Sequence, residues 1–312
     1  MAMSEMLHSS VPSIPGGPNR DYICQRAQCL CSYADRYFFA NRHITEPGIA
    51  LGEAEVSTLT PPRENWQARN LPVTIPGVNK VEKMVVLAQA AWAARTVKLA
   101  PEPPGDRVGL AEGGNGSSDS GPLDLVAVGD SLVAGSGVTA QSEALTPLIA
   151  EGIAAREDTP VHWRTYAKLG ATMRRVRYKY LPQIETRPDI LFVCAGSNDV
   201  MARRGVNEWR DDLQGTLDEA QELSDRVWLC SSGQPHNSPV LPKTLRRAIE
   251  HQIDAQTAVS REICAERGIP FADVTHIDLP DGFWASDGFH PSRIGYETAA
   301  WHILRAEYGE QD

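Results

Sequence analysis

Four residues carry the side chains that acyl-transfer chemistry requires. Ser131 lies three positions after the end of an apolar run over residues 123–128, Asn198 follows another apolar run, and Asp287 and His290 are three positions apart near the C-terminus. A serine hydroxyl is a weak nucleophile at neutral pH unless a nearby base takes its proton and a third group orients that base. Serine, histidine and aspartate can fill these roles, and an asparagine amide can donate to an oxyanion.

Each of these residues also has a purely structural interpretation. Ser131 could be the N-cap of the first helix. Asn198 could hold a turn, because asparagine tolerates the left-handed region, and His290 could be a surface histidine beside Pro291. The elements that position these residues decide between the two interpretations.

Five apolar segments alternate with segments of helical periodicity after residue 121, which predicts a repeated strand–helix unit. The predicted strands cover residues 123–128, 161–167, 190–195, 227–230 and 269–274. Strands without polar alternation, joined by helices, form a parallel sheet with both faces covered. Right-handed crossovers then give a doubly wound three-layer α/β/α sandwich. In such folds ligands bind beyond the carboxyl ends of the strands, where Ser131, Asn198 and the Asp287–His290 pair are expected.

Residues 123–308 resemble the SGNH branch of the GDSL hydrolase family in four sequence blocks. The blocks are GDSL at Gly129–Leu132, a glycine turn at Gly170–Thr172, G-x-N-D at Gly196–Asp199 and D-x-x-H at Asp287–His290. The resemblance implies a flavodoxin-like fold with a five-stranded parallel sheet. It also implies a serine esterase or lipase that needs neither a metal ion nor another cofactor.

The resemblance assigns roles to individual residues. Ser131 is expected to form an acyl-enzyme with His290 as general base and Asp287 as its orienting group. The oxyanion hole is expected to consist of the backbone N–H groups of Ser131 and Gly170 and the side-chain amide of Asn198.

The substrate is expected to be a carboxylic ester with a short to medium acyl chain. Trp284 and Phe289 flank Asp287, and Gln234 and His236 lie in the loop after the fourth strand, so all four are candidates for the substrate pocket. Two alternatives remain open. The chain could be a glycan O-acetyl esterase or an acyltransferase, or it could be a partner-binding protein that uses residues 21–99.

Other chemistry finds less support in the sequence. Ser131 and Ser197 lack the G-x-S-x-G spacing of a nucleophile elbow, and no G-K-[ST] follows the glycines, which disfavours a P-loop. The segment 135–137 (GSG) lacks dinucleotide-binding spacing. The formal net charge of −10 disfavours a nucleic-acid partner.

Composition divides the chain into four predicted regions. Residues 1–20 are a disordered tail, and 21–99 form an extension of unknown role with a helix over 80–99. Residues 100–122, rich in glycine and proline, form a flexible linker, and 123–312 form the hydrolase domain. The extension is a candidate for contacts between molecules, and the oligomeric state is open.

Cysteine usage and the N-terminal sequence give two further expectations. Cys24, Cys29 and Cys31 form C-x4-C-x-C, which is not a standard zinc spacing. The chain shows no signal peptide and no apolar run of bilayer-spanning length. A cytoplasmic location is therefore expected.

Overall fold

Six strands form one mixed sheet in the computed structural model, which describes residues 80–113 and 121–309. The strands are β1 (Val108–Ala111), β2 (Leu123–Gly129), β3 (Val161–Ala167), β4 (Ile190–Cys194), β5 (Val227–Cys230) and β6 (Phe271–Ala272). The α-helices are α1 (Lys80–Thr96), α2 (Leu145–Glu157), α3 (Met173–Arg175), α4 (Ser197–Met201), α5 (Val206–Leu223), α6 (Lys243–Arg267) and α7 (Arg293–Tyr308). After α3 the chain continues through a π-helical turn (Val176–Tyr180) and a 3-10 turn (Leu181–Gln183).

The strand order is β1-β3-β2-β4-β5-β6. Strands β2 to β6 pair in parallel, and β1 pairs antiparallel with β3. The first parallel strand therefore lies between the second and the third, which is the flavodoxin-like order. The predicted doubly wound α/β sandwich is confirmed, and the sheet has one strand more than the sequence predicted. From β2 the next strand, β3, is added on one side of the sheet and the following strands on the other side. The carboxyl ends of β2 and β4 therefore flank the crevice where such folds bind ligands.

Alternating side chains of β2 explain why the sheet is covered on both faces. Leu125 and Ala127 pack in one buried cluster with α2 and α7, while Val126 and Val128 pack in a second cluster with α3 and α5. All four residues are fully buried. A strand that is apolar on both faces can only lie inside such a sandwich, and this fixes the position of the turn that follows β2.

The interpretation of residues 100–122 as a flexible linker is wrong for part of that range. Strand β1 lies within it and pairs with β3 from Val108 opposite Arg164 to Ala111 opposite Val161. Composition did not reveal this strand, because an edge strand of four residues needs no long apolar run. Residues 114–120 lie outside the described residues.

Helix α1 ends three residues before the predicted boundary and packs on α6. Ala93 shares a buried cluster with Leu245 and Ile249 of α6. The Gln89 side chain also accepts a hydrogen bond from the Leu245 N–H at 2.9 Å. This contact satisfies a free donor in the first turn of α6.

Several predictions concern parts of the chain outside the described residues. They include the tail at 1–20, the extension up to residue 79 and the three N-terminal cysteines. Among the residues that the structure does describe, none of the helices combines the length and the apolar character needed to cross a membrane.

Candidate active site

Ser131 lies in a tight turn directly after β2. The Ala134 N–H donates to the Asp130 carbonyl at 2.9 Å, and the Ser136 N–H donates to the Ser131 carbonyl at 3.0 Å. Helix α2 begins only at Leu145, so the interpretation of Ser131 as the cap of the first helix is wrong. The turn presents Ser131 at the carboxyl edge of the sheet.

Asp287 and His290 form a buried pair at the same edge. The Nδ1 atom of His290 lies 2.7 Å from Asp287 Oδ2, and the two side chains are 2% and 3% exposed, respectively. Asp287 Oδ1 accepts the backbone N–H groups of Phe289 and His290, each at 2.9 Å. Ser292 caps α7 through the Gly295 N–H, which ends the loop that carries the pair. Because the carboxylate accepts at Nδ1, that nitrogen carries the ring proton and Nε2 is left with its lone pair.

Asp287 stays ionised despite its burial. Burial acts to raise the pKa of this carboxyl. The hydrogen bonds from the His290 ring and from the backbone N–H groups of Ala100, His290 and Phe289 outweigh that effect and hold the pKa well below its usual range. The site therefore contains a fixed negative charge next to the imidazole.

His290 Nε2 is buried and has no hydrogen-bond partner. The hydrogen bond from the Ser131 hydroxyl to this atom, which a catalytic triad requires, is not formed in this structure. Both residues nevertheless line one cavity of about 70 Å³ at the end of β2. Hydrogen bonds between catalytic groups are often long or poorly aligned without substrate, so the open geometry is compatible with the assignment.

Of the two further residues expected in the oxyanion hole, Asn198 belongs to the cavity lining, whereas Gly170 does not, although its neighbour Leu169 does. The Asn198 Nδ2 donates to the Ala171 carbonyl at 2.9 Å and lies 3.4 Å from Asp130 Oδ2. Gly170 has φ +83°, and a Cβ built on it would meet open space. The glycine is therefore needed for its left-handed conformation, and no neighbouring protein atom requires the absence of a Cβ.

Asp199 joins the second and third sequence blocks. Its Oδ2 accepts the Met173 N–H at 2.9 Å, and its Oδ1 forms an ion pair with Arg204 at 3.1 Å. Burial raises the pKa of Asp199 to about 6. The same cause raises the pKa of Asp130 to about 7, against the lowering effect of the Leu132 N–H. Neither carboxyl group lines the cavity, so both act by holding the turns.

Three of the four candidate pocket residues line the cavity, and the fourth does not. Trp284, Phe289 and Gln234 are part of the lining. The Gln234 amide donates to the carbonyls of Val274 and Ile277 at 2.9 Å each, so its nitrogen is committed to holding the neighbouring loop. His236 is buried outside this lining.

His236 instead lies in a cluster with Glu250 and His276, whose potential ligand atoms lie within 4.8 Å of one another. The Asn237 amide nitrogen, which donates to Gln234 Oε1, lies 3.3 Å from His236 Nε2. Nε2 therefore accepts a hydrogen bond from the Asn237 amide, and the ring proton resides on Nδ1, which has no hydrogen-bond partner. A metal ion needs a free lone pair on the ring, so this arrangement is not a preformed metal site.

Two contacts to the site come from residues that the sequence did not single out. The Ala100 N–H donates to Asp287 Oδ2 at 2.7 Å, and Leu99 lines the cavity. A backbone donor leaves no trace in residue type, and the sequence places Leu99 in the predicted helix over 80–99, outside the predicted hydrolase domain.

A comparison with known protein families decides the family. The model of the GDSL-like Lipase/Acylhydrolase family matches residues 127–298, which is more than half of the chain. The chain belongs to this family.

Individual relatives are distant in sequence. The GDSL-like esterase Rv1075c of Mycobacterium tuberculosis is 26% identical over 194 residues, or 57% of this chain. The chain spans 60% of the length of that relative.

Two solved structures also align with the GDSL family member. A lipase/acylhydrolase from Enterococcus faecalis is 25% identical, with a TM-score of 0.46, and the alignment covers 59% of this chain and 94% of that one. A catalytic mutant of an acetylxylan esterase from Geobacillus stearothermophilus is 18% identical, with a TM-score of 0.48 and coverage of 62% and 98%.

Proposed function

We propose that this GDSL family member is a carboxylic ester hydrolase that acts through an acyl-enzyme on Ser131. The observation that carries the proposal is the buried Asp287–His290 pair, whose unpartnered Nε2 belongs to a residue lining the same cavity as Ser131. Such a pair has the orientation that a general base requires.

The reaction begins when the Ser131 hydroxyl attacks the ester carbonyl. His290 Nε2 takes the hydroxyl proton as the Oγ–carbon bond forms, and the ionised Asp287 stabilises the resulting imidazolium. The tetrahedral intermediate collapses, the bond to the alcohol oxygen breaks, and His290 returns the proton to the leaving alcohol. Water then attacks the acyl-enzyme with the same base, which releases the carboxylic acid and restores Ser131.

The negative charge on the carbonyl oxygen needs donors that are already in place. In this proposal the donors are the N–H groups of Ser131 and Gly170 and the amide of Asn198. The Asn198 amide has two N–H bonds, and the longer of its two contacts is the one to Asp130 at 3.4 Å. Substrate would replace or share this weaker contact.

The cavity supports an ester with a short to medium acyl chain. Its volume of about 70 Å³ is small, and a long chain would have to extend outside it. The apolar part of the lining suits an acyl chain and includes Leu132, Val274, Ile277, Phe283, Trp284 and Phe289.

Two enzymatic alternatives share the chemistry at Ser131. They differ from this proposal in the molecule that accepts the acyl group or in the kind of ester that is cleaved. An acyltransferase would deliver the acyl group to an alcohol, and a glycan O-acetyl esterase would act on acetylated sugars. The partner-binding alternative rests on residues 21–99, most of which lie outside the described residues.

The test is a series of p-nitrophenyl esters, from acetate to palmitate, with wild type and Ser131→Ala. We expect turnover to be highest for short to medium chains and to be lost in Ser131→Ala. Ser136→Ala is the matched control, because the buried Ser136 hydroxyl has no hydrogen-bond partner and lies in the same turn. Equal activity in Ser131→Ala and wild type would refute the proposal. Product analysis with a competing alcohol, and release of acetate from acetylated xylan, separate the two alternatives.

A further inference from the structure

The segment Leu99–Arg107, here called the strap, connects α1 with β1 and borders the active site. The family match begins only at residue 127, so the strap lies outside it. We propose that the strap is a functional part of the active site. It positions two elements of the site, the Asp287 carboxylate and the turn that carries Gly170. This inference rests on the function proposed above.

The first contact of the strap is with the Asp287 carboxylate. The Ala100 N–H donates to Oδ2 at 2.7 Å, the same oxygen that lies 2.7 Å from His290 Nδ1. The other donors to Asp287 all belong to its own loop, namely the ring of His290 and the backbone of His290 and Phe289. Ala100 therefore supplies the donor that fixes the carboxylate from outside that loop, in a site where the Asp287 side chain is only 3% exposed.

The second contact is with the turn that carries Gly170. Glu102 Oε1 accepts the Leu169 N–H at 2.7 Å, and its Oε2 accepts a hydrogen bond from Arg107 at 2.8 Å. Arg107 in turn donates to the Ala167 carbonyl at 2.6 Å. Two charged side chains of the strap thus hold the chain on the N-terminal side of Gly170, whose N–H is the proposed oxyanion donor.

A third set of contacts anchors the strap to the turn of Ser131. Gln141 Nε2 donates to the carbonyls of Pro103 and Ala134, each at 3.1 Å, and the Gln141 N–H donates to the Pro104 carbonyl at 3.0 Å. Gln141 is 2% exposed. The strap is therefore linked to the nucleophile turn, the oxyanion turn and the acid of the triad together.

A segment that only tethers α1 to the domain would not need these contacts. Loss of a tether would lower the folded fraction, and the kcat of the molecules that remain folded would keep its wild-type value and pH profile. Loss of the Ala100 donor has a different signature. More negative charge on Asp287 Oδ2 favours the protonated imidazole of His290, so the acidic limb of kcat/KM should move to higher pH.

The first experiment compares Ala100→Pro with Ala100→Gly in the full chain. Proline removes the N–H, and glycine keeps it. We expect kcat for p-nitrophenyl acetate to fall about 10- to 100-fold in Ala100→Pro, which is the range for a lost hydrogen bond to a charged group. The fall of kcat/KM towards acidic pH should also begin at a higher pH in Ala100→Pro. Ala100→Gly should keep most of the wild-type kcat. Asp106→Ala, an exposed position in the strap, should match wild type.

The second experiment compares Glu102→Ala with Glu102→Gln and remains decisive if Ala100→Pro does not fold. Glutamine keeps an acceptor oxygen for the Leu169 N–H, and it loses the charge and the second acceptor, which bonds Arg107. We expect kcat to fall about tenfold in Glu102→Ala, as for one lost hydrogen bond, with KM little changed. Glu102→Gln should recover most of that loss.

The outcomes separate the strap from the proposed function. If wild-type turnover depends on Ser131 while folded strap variants keep the wild-type kcat and pH profile, the strap inference is overturned and the function stands. If Ser131→Ala matches wild type, the function itself fails.

Discussion

The side-chain amide of Asn198 lies 3.4 Å from the buried carboxyl of Asp130. This contact joins the turn of the proposed nucleophile to the proposed oxyanion donor, two parts of the chain that are 68 positions apart. The residue preceding Ser131 therefore helps to set where the Asn198 amide points. Because Asp130 is fully buried, its ionisation should also affect the stability of the domain.

We predict that Asp130→Asn makes the unfolding free energy less dependent on pH between about pH 4 and 7. Burial raises the pKa of Asp130 to about 7 from 3.8. In this window the folded protein holds the proton and the unfolded chain does not, so wild-type stability falls as pH rises, by about 1.4 kcal/mol per pH unit. Asparagine cannot ionise and should lack this contribution.

Urea denaturation of both proteins at pH 5 and pH 7 measures the difference. We expect wild type to lose on the order of 2–3 kcal/mol more than Asp130→Asn between the two values. Asp199, whose pKa is also raised, is present in both proteins and largely cancels. If the unfolding free energy of the two proteins depended on pH in the same way, the raised pKa of Asp130 would be contradicted.

We predict that Asn198→Ala lowers kcat about 10²–10³-fold, the usual effect of removing one oxyanion donor. KM should change less, because the donor acts mainly on charge that develops in the transition state. Steady-state kinetics on p-nitrophenyl acetate measure both constants. Asn207→Ala, an exposed asparagine of α5, is the control, and an unchanged kcat in Asn198→Ala would remove Asn198 from the oxyanion hole.

We predict that Asp287→Asn lowers kcat on the order of 10³–10⁴-fold, as loss of the orienting carboxylate does in serine hydrolases with a triad. An asparagine amide has only one acceptor oxygen for the donors that now surround the carboxylate. One donor would face the new NH₂ group, or His290 would adopt the wrong tautomer. Kinetics measured beside Asp281→Asn, an exposed aspartate in the same region, test this, and a loss of less than tenfold would argue against a triad.

We predict that Gly196→Ala destabilises the fold more than Gly170→Ala does. Both glycines have positive φ, which costs an L-residue about 1–2 kcal/mol. At Gly196, however, a Cβ would also lie 2.3 Å from Ser232 Oγ, whereas at Gly170 it would meet open space. Thermal denaturation of both variants compares them, and equal losses of stability would show that the contact with Ser232 relaxes at no cost.

The parallel sheet could be predicted from the sequence because its signal is local. The apolar runs in β2 and β4 are nearly continuous and buried on both faces, and helices α5 and α6 each have a distinct apolar face. Strand β1 was missed because its place depends on the free edge of β3, a tertiary feature. The interpretation of Ser131 as a helix cap is wrong because α2 starts only at Leu145, 14 positions after Ser131.

The site could be predicted as far as side-chain type identifies a role. Serine, histidine, aspartate and asparagine at strand ends point to their own chemistry. The Ala100 N–H does not, since a backbone donor can belong to almost any residue. His236 looked like a pocket residue by its position in the loop, but the 3-10 turn Pro235–Asn237 places it outside the cavity.

The most direct test of the account is covalent labelling with a fluorophosphonate, which traps an activated serine without knowledge of the natural substrate. Peptide mapping by mass spectrometry should find the adduct on Ser131 alone, and labelling should be strongly slowed in His290→Ala. Ser197 is the internal comparison, because it lines the same cavity and donates to the Ser232 carbonyl at 2.6 Å. Labelling of Ser197 with Ser131 untouched, or labelling of Ser131 that is unaffected by the loss of His290, would contradict the account.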